Sequence, residues 1–509
     1  MPGRRRFLQS LAALAAAQAR PLRAQAPGRL AESPFGLGVA SGYPGPDGMV
    51  LWTRLLGVPD SASVPVRWEI AHDERFSSMA GKGELEATAE WAHSVRAEPR
   101  GLEPGRWYFY RFIAGGQASP VGRTRTSPAA GSAAPRLRFA FASCQQYEQG
   151  WYGAHRHLAG EDLDLVAFLG DYIYESSWGR DHVRKHGAGV PTTLDEYRAR
   201  YALYKSDPDL QRSHRAFPWI FTWDDHEVVN DYAGASPGDQ PPSRTFLARR
   251  AAAYRAFYEH LPLPEAMRPG DDGAMRIYTH LDWGRVARFH VLDDRQYRDA
   301  QACRAPGSRG APIVSPQSCP ELNDAARTLL GAEQERWLDG TLAASRARWN
   351  VIVQQTLMAQ LDRKLGPERQ FWTDGWDGYP AARRRLLETI RRTRVRNAVV
   401  IGGDVHSSWV ADLKPDFDDA SSPVVASELC GTSITSQGPS QRMVEALMGE
   451  NPHIKFGRGD RRGYVRASVA GGRLDADFVV MDSVKIRDPK SEVLASFAVE
   501  DGKPGPQRA

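Results

Sequence analysis

The sequence predicts an α/β protein preceded by a small all-β domain, and three observations carry that expectation. Short strands with Gly/Pro punctuation fill residues 34–126. From Leu137 onward, strand-like runs alternate with helical segments. Three of those runs, LDLVAFLGDYIYE, FPWIFTWDDHE and NAVVIGGDVH, stop on acidic or histidine-bearing turns. Ligands of α/β sheets gather beyond the carboxyl ends of strands, so one shared site is expected there.

The N-terminal part, residues 34–126, alternates apolar and polar side chains in VLWTRL, VRWEIAHD and RWYFYRFIAG, the pattern of half-buried strands. Leu102-Glu103-Pro104-Gly105 followed by Tyr108-Phe109-Tyr110-Arg111 resembles an immunoglobulin/fibronectin-like hairpin, so a small β-sandwich is expected. His72 and His93 within it read as surface residues. SPAAGSAAP at 127–135 is a small-residue linker.

The second domain is assigned to residues 137–485. LRFAFASC and the buried run Leu163–Leu169 read as strands, with a helix between them. Thr193-Leu194-Asp195-Glu196 fits a capping box opening a helix to about Tyr204. A long helix follows at 243–260, then a hairpin turning at Asp282-Trp283-Gly284. Helices at 332–345 and 381–394 bracket the strand WNVIVQQT, and AVVIGGDV and a closing hairpin complete the domain. Residues 486–509 read as a frayed polar tail.

With 509 residues the chain is long enough for two large cores. Its net charge of +5 sits in the leader: residues 1–26 hold Arg4, Arg5, Arg6, Arg20 and Arg23 and no acid, and without them 61 basic residues face 61 acidic ones. No specific nucleic-acid binding is therefore expected. Arg4-Arg5-Arg6-Phe7-Leu8, an alanine-rich run to Ala19 and Ala24-Gln25-Ala26 resemble a twin-arginine signal peptide over residues 1–26. This implies the twin-arginine export machinery as a partner, a periplasmic or secreted location and no transmembrane anchor. Cys303 and Cys319 flank a Pro/Gly/Ser-rich loop; a disulfide and two free thiols are both compatible with that spacing.

A phosphate ester resists attack because its oxygens repel a nucleophile, and two metal ions can neutralise that charge and supply a hydroxide. Asp171, at the end of the central strand, is the natural bridge between two metals. Tyr174, three residues on, can turn its phenolate to the same metal, which favours a strong Lewis acid such as Fe(3+). Asp404 and His406 alternate across an extended segment; imidazole suits iron or zinc, and carboxylates also suit calcium.

These motifs resemble the alkaline phosphatase D family, within the calcineurin-like and purple-acid-phosphatase-like metallophosphoesterases. FASCQ, FLGDYIYE, WDDHEVVND, LDDRQYR, WDGYPAAR and GGDVHSSW resemble successive blocks of its catalytic domain, and FGLGVASGYPGPDGMVLWTRL resembles its N-terminal domain. The resemblance implies a metallophosphoesterase-type β-sandwich core flanked by helices, and a secreted enzyme hydrolysing phosphomonoesters, phosphodiesters or both through a metal-bound hydroxide. It gives Asp171 as the bridge and Cys144 and Tyr174 as iron ligands. His226 falls beside the leaving group, and Asp225, Asn230 or both reach the second metal. Asp404 and His406 complete the metal set, with Fe(3+) and Ca(2+) as cofactors or, as an alternative, iron with zinc.

Substrates in this class span small molecules, lipids and polymers, so a phospholipase D-like or teichoic-acid phosphodiesterase acting through the same site is a second reading. A non-catalytic cell-surface binding protein with a vestigial site is a third, opposed by the joint retention of Cys144, Asp171, Tyr174, Asp404 and His406. Asp224 and Glu227 read as solvent-facing or supporting carboxylates. Arg295 could face phosphate, although an ion pair with Asp293 or Asp294 is favoured; Trp376, Asp377 and Tyr379 could line the pocket mouth, with packing the default, and Cys430 is expected to pack.

Overall fold

The computed structural model describes residues 33–509 apart from 62, 135, 239, 240, 309 and 471, so the twin-arginine leader lies outside the described residues. Two large sheets carry the molecule. In the ten-stranded sheet the order is 503–508, 491–500, 473–481, 462–470, 136–142, 165–168, 218–221, 39–42, 50–54 and 94–97. The seven-stranded sheet runs 279–283, 287–291, 349–353, 398–402, 426–430, 408–413 and 454–458. This is a mixed, sheet-rich architecture.

The strand Leu165–Phe168 is buried along its whole length, and its period of two divides its side chains between two cores. Leu165 and Ala167 meet Phe289, Val351, Val399 and Ile401 of the second sheet. Val166 and Phe168 face the opposite way, against residues of the helices Leu194–Lys205 and Arg244–His260. On the far side of the second sheet, Ile352 and Val400 pack under the helices Gly331–Ala344 and Pro380–Thr393. The capping box at Thr193 and Glu196 forms as the sequence predicts.

Three expectations need correction. Residues 486–509 do not fray: strands Ser491–Glu500 and Lys503–Arg508 extend the large sheet, because alternating Ala495, Phe497 and Val499 reach the inter-sheet core. The strands of residues 34–126 divide between two sheets. Val64–Ala71, Met79–Ala87, Trp107–Ala114, Gln117–Ala118 and Gly122–Arg125 form a five-stranded sheet, while 39–42, 50–54 and 94–97 join the ten-stranded one. His93 is buried against the Ala87 carbonyl rather than exposed. Cys303 and Cys319 form a disulfide, with Cys319 buried in a small apolar cluster.

Candidate metal centre

Strands 136–142, 165–168 and 218–221 are neighbours in parallel, so Cys144, Asp171 and Asp224-Asp225-His226 all leave the sheet at one end. Strand 398–402 is parallel to 349–353 and 426–430 and delivers Asp404 and His406 from the second sheet. The chain segments approach closely here. Gly170 has φ +107°, and a Cβ on it would lie 2.5 Å from the Asp224 Cβ; one on Gly403 would lie 2.3 Å from Ser143 Oγ. Cys144, Asp171, Asp404 and His406 also take positive φ, at 58°, 56°, 62° and 52°. Such conformations cost non-glycine residues about 1–3 kcal/mol each, and clusters of them mark functional sites.

The side chains interlock. Tyr174 Oη donates to Asp171 Oδ2 at 2.7 Å, accepts from Ser436 Oγ at 2.8 Å and lies 3.1 Å from His406 Nε2. Ligand atoms of Cys144, Asp171 and His406 all lie within 4.8 Å of one another, as do those of Asp171, Asp225 and His226, of Asp171, Asp224 and Asp404, and of Asp225, Asp231 and Asp374. Asp171 belongs to three of these four groups, which is what a bridging carboxylate requires. Asp224 Oδ2, Asp225 Oδ1 and Asp404 Oδ2 are buried without a hydrogen-bond partner. Lone pairs of buried carboxylates left in this state fit cation ligands. A thiol, carboxylates and imidazoles together suit a mixed pair of soft-to-borderline and hard metals.

Electrostatics agree. Burial, reinforced by Asp225, Asp224 and Glu227, holds Asp171 well above its usual range despite His226. Burial and Asp224 raise Asp404 likewise, and burial with Asp171 and Asp404 raises the Cys144 thiol. Tyr174 is raised by burial, Asp171 and Cys144. Burial, Arg462 and His226 depress His406 to about 3, leaving a neutral imidazole. Burial opposes charge on His226, yet Glu175, Asp225 and Asp171 hold it well above its ordinary value and so protonated at neutral pH.

Three features support the site; Glu227 was expected as a solvent-facing or supporting carboxylate, while Glu175 and Trp178 were not legible in advance. Glu175 Oε2 sits 2.6 Å from His226 Nδ1, which orients the ring and leaves Nε2 for other partners. Glu227 accepts from the backbone N–H of Asp171, Tyr172 and Asp224, tying two strand ends together. Trp178 stacks on His406 with ring centroids 5.5 Å apart. Glu175 and Trp178 carried no local signal, because their partners His226 and His406 lie on different segments.

Of the residues expected at the site, Cys144, Asp171, Tyr174, Asp225, His226, Asp404 and His406 are brought together. Asn230 is not: it is exposed, and its backbone N–H bonds Glu175 Oε1. Asp224 is buried rather than solvent-facing. Arg295 forms ion pairs, but with Asp224 and with Asp374 at 2.7 Å instead of Asp293 or Asp294. Asp293 instead accepts from Trp223 Nε1, and Asp294 from the Gln355 N–H. Trp376 and Tyr379 pack in the core, Asp377 pairs with Arg383, and Cys430 is buried.

Buried ligand-type side chains converging from parallel strand ends define a hydrolase of the metal-dependent phosphatase class. The chain belongs to the PhoD-like phosphatase family: the family's model matches residues 139–478, and the model of its N-terminal domain matches residues 20–128. It is 45% identical over 490 residues to alkaline phosphatase D of Bacillus subtilis (strain 168), covering 93% of this chain and 82% of that protein. A solved structure of PhoD superposes with a TM-score of 0.89 at 43% identity, over 94% of this chain and 92% of that one. The phosphatase reading and the resemblance drawn from the motifs are thereby established. Among the described residues no helix is long and apolar enough to cross a membrane.

Proposed function

We propose that this phosphoesterase is exported by the twin-arginine route and hydrolyses phosphomonoesters, phosphodiesters or both at a Fe(3+)/Ca(2+) centre. The observation that carries the metal assignment is the sharing of Asp171 among three ligand groups. Cys144, Asp171, Tyr174 and His406 would hold iron; Asp171, Asp404 and Asp225 would hold calcium, with Asp224 beside them. Bound there, the cations supply Lewis acidity that neutralises phosphate charge and activates water.

The protein's own residues position and protonate. Glu175 fixes the His226 ring through Nδ1. The imidazolium so held presents a proton beside the centre, suited to a departing alkoxide. Ser436 anchors the Tyr174 phenol from the opposite side. Export is supported by the Arg4-Arg5 leader and by the disulfide, which suits an oxidising compartment. The five-stranded sheet shares an apolar core with strands 39–42, 50–54 and 94–97, through Val66, Ile70, Tyr108 and Tyr110 against Leu51 and Val95, which supports an immunoglobulin/fibronectin-like module; the face-to-face sheets support a metallophosphoesterase-type sandwich.

Metal analysis of the exported protein tests this, with turnover of a monoester and a diester measured with and without chelator. Iron and calcium in stoichiometric amounts, with chelator-sensitive turnover, are expected. A thiolate and a phenolate on ferric iron give charge-transfer colour, so an unchanged visible spectrum in iron-loaded Tyr174→Phe would remove Tyr174 from the ligand set.

A further inference from the structure

Strands 287–291, 349–353 and 398–402 lie side by side in parallel, and Asp404 and His406 follow the last of them. The residues ahead of these strands therefore lie at the opposite pole of the sheet. An arginine stands there on each: Arg285, Arg348 and Arg396, joined by Arg346. The four line one cavity of about 460 Å³, to which the ten-stranded sheet contributes Val469. From Arg396 to Asp404 the chain rises about 25 Å, so the cavity and the metal centre are separate.

No acidic residue lines this cavity. The excess is local, because residues 27–509 balance 61 basic side chains against 61 acidic ones. Asp501 pairs with Arg396 at 3.0 Å and lies 3.8 Å from Arg348 Nε, while among the described residues Arg285 and Arg346 make no ion pair. The register of Asn350 with Ala398 sets Arg348 opposite Arg396. Neighbouring strands are about 4.8 Å apart, and like charges facing each other at that spacing destabilise a sheet. The fold thus gathers positive charge here that its own carboxylates do not match.

The backbone presenting these side chains is fixed. The Arg285 N–H donates to Ser132 O, and its carbonyl accepts the Arg348 N–H, both at 2.9 Å. Asn397 Nδ2 donates to Arg348 O at 2.9 Å and Asn350 Nδ2 to Arg396 O at 2.8 Å. Trp349 forms another wall of the cavity; it is fully buried, and its indole Nε1 has no hydrogen-bond partner. Guanidinium and indole groups donate and do not accept, so the matching ligand is a cluster of anionic oxygens. Guanidinium forks take phosphate oxygens two at a time. We propose that this cavity is a second oxyanion site, which takes a phosphate group, free or carried on a polymer, at the pole opposite the metal centre. The inference goes beyond the catalytic reading and does not depend on it.

The test compares metal-loaded wild type with the double variants Arg285→Ser/Arg346→Ser and Arg285→Lys/Arg346→Lys. Equilibrium dialysis with labelled inorganic phosphate reads binding, and turnover of nitrophenyl phosphate reads the catalytic centre. Wild type should bind phosphate at a site that does not compete with substrate. The serine variant should weaken that site by about 100-fold or more, since each charge-assisted contact is worth about 10-fold or more. The lysine variant should recover part of the loss, and kcat, KM, phosphate inhibition and Tm should match wild type in both. A parallel measurement with long-chain polyphosphate over a range of salt distinguishes the sources. Tighter, steeply salt-dependent retention that the serine variant loses assigns the site to polymer-borne phosphate; no gain over inorganic phosphate assigns it to the free ion. Phosphate binding that is wholly competitive with substrate, or unaltered by the serine substitutions, overturns the proposal.

Discussion

Two halves of the same buried centre handle negative charge in opposite ways. On one side, Asp374 lies between Arg295 at 2.7 Å and Arg298 at 2.9 Å; burial pushes it up, but the two guanidinium groups outweigh burial and hold it below its usual range. On the other, Asp171 and Asp404 have burial and neighbouring carboxylates raising them together, and both stay high. The protein brings two guanidinium groups onto Asp374 in the first half; in the second, His226 and Arg295 act on Asp171 and Asp404 without offsetting burial and the neighbouring carboxylates. Buried carboxylates without a matching cation are tolerated when they are protonated or when a bound cation completes them. The difference therefore marks where metals belong and where structure is already finished.

The largest expected effect separates the halves directly. Asp171→Asn should lower the occupancy of both metals and remove nearly all turnover, because one carboxylate serves three ligand groups. Asp374→Asn should instead keep iron while destabilising the fold by about 3–5 kcal/mol, the usual cost of breaking a buried ion pair. Metal analysis and denaturant unfolding of both variants measure this; iron loss in Asp374→Asn would erase the distinction.

A smaller effect is expected at His226, which touches both the bridge and Glu175. His226→Ala should retain both metals and slow turnover by about 10²–10⁴-fold. Alkyl esters should suffer more than nitrophenyl esters, whose leaving groups need no proton. Equal losses on the two ester types would take the acid role away from His226.

The smallest is a pH dependence. In metal-free protein, Asp171 and Asp404 bind protons more tightly folded than unfolded, where their value is near 3.8. Their protonated forms contribute stability that is complete below the unfolded value and is lost as pH rises through the folded one. The Tm of stripped protein should accordingly fall relative to loaded protein as pH rises above the unfolded value of 3.8, with the gap widening toward alkaline pH. A constant gap in parallel thermal scans would mean that these acids are not what the metals complete.

Much of the centre was legible because the chemistry demands particular residues where strands stop. Gly170-Asp171, Gly403-Asp404 and His406 follow short apolar runs bounded by glycine, which read as buried strands and are so. What was not legible depends on tertiary partners. Nothing local distinguishes Glu175, which reaches His226 from 51 positions away, or tells Arg295 to prefer Asp224 and Asp374 over the adjacent Asp293 and Asp294. Asn230 misled because WDDHEVVND resembles a ligand block, yet its turn points the amide outward. The closing strands were missed although Val493, Ala495, Phe497 and Val499 carry a strand-like alternation; only the edge strand KPGPQR reads as a polar tail.

The large sheet draws its outer strands from both chain ends: 39–42 pairs in parallel with 218–221, which carries the Asp224–His226 turn, and 503–508 forms the opposite margin. Ribosomal synthesis thus delivers one flank of the catalytic strand long before its neighbour exists, and strand 503–508 after every other strand of the sheet. Contacts of such long sequence separation form slowly. Completion of the sheet therefore waits on its last strands, and strand 39–42 lacks its partner on one side until 218–221 has been made.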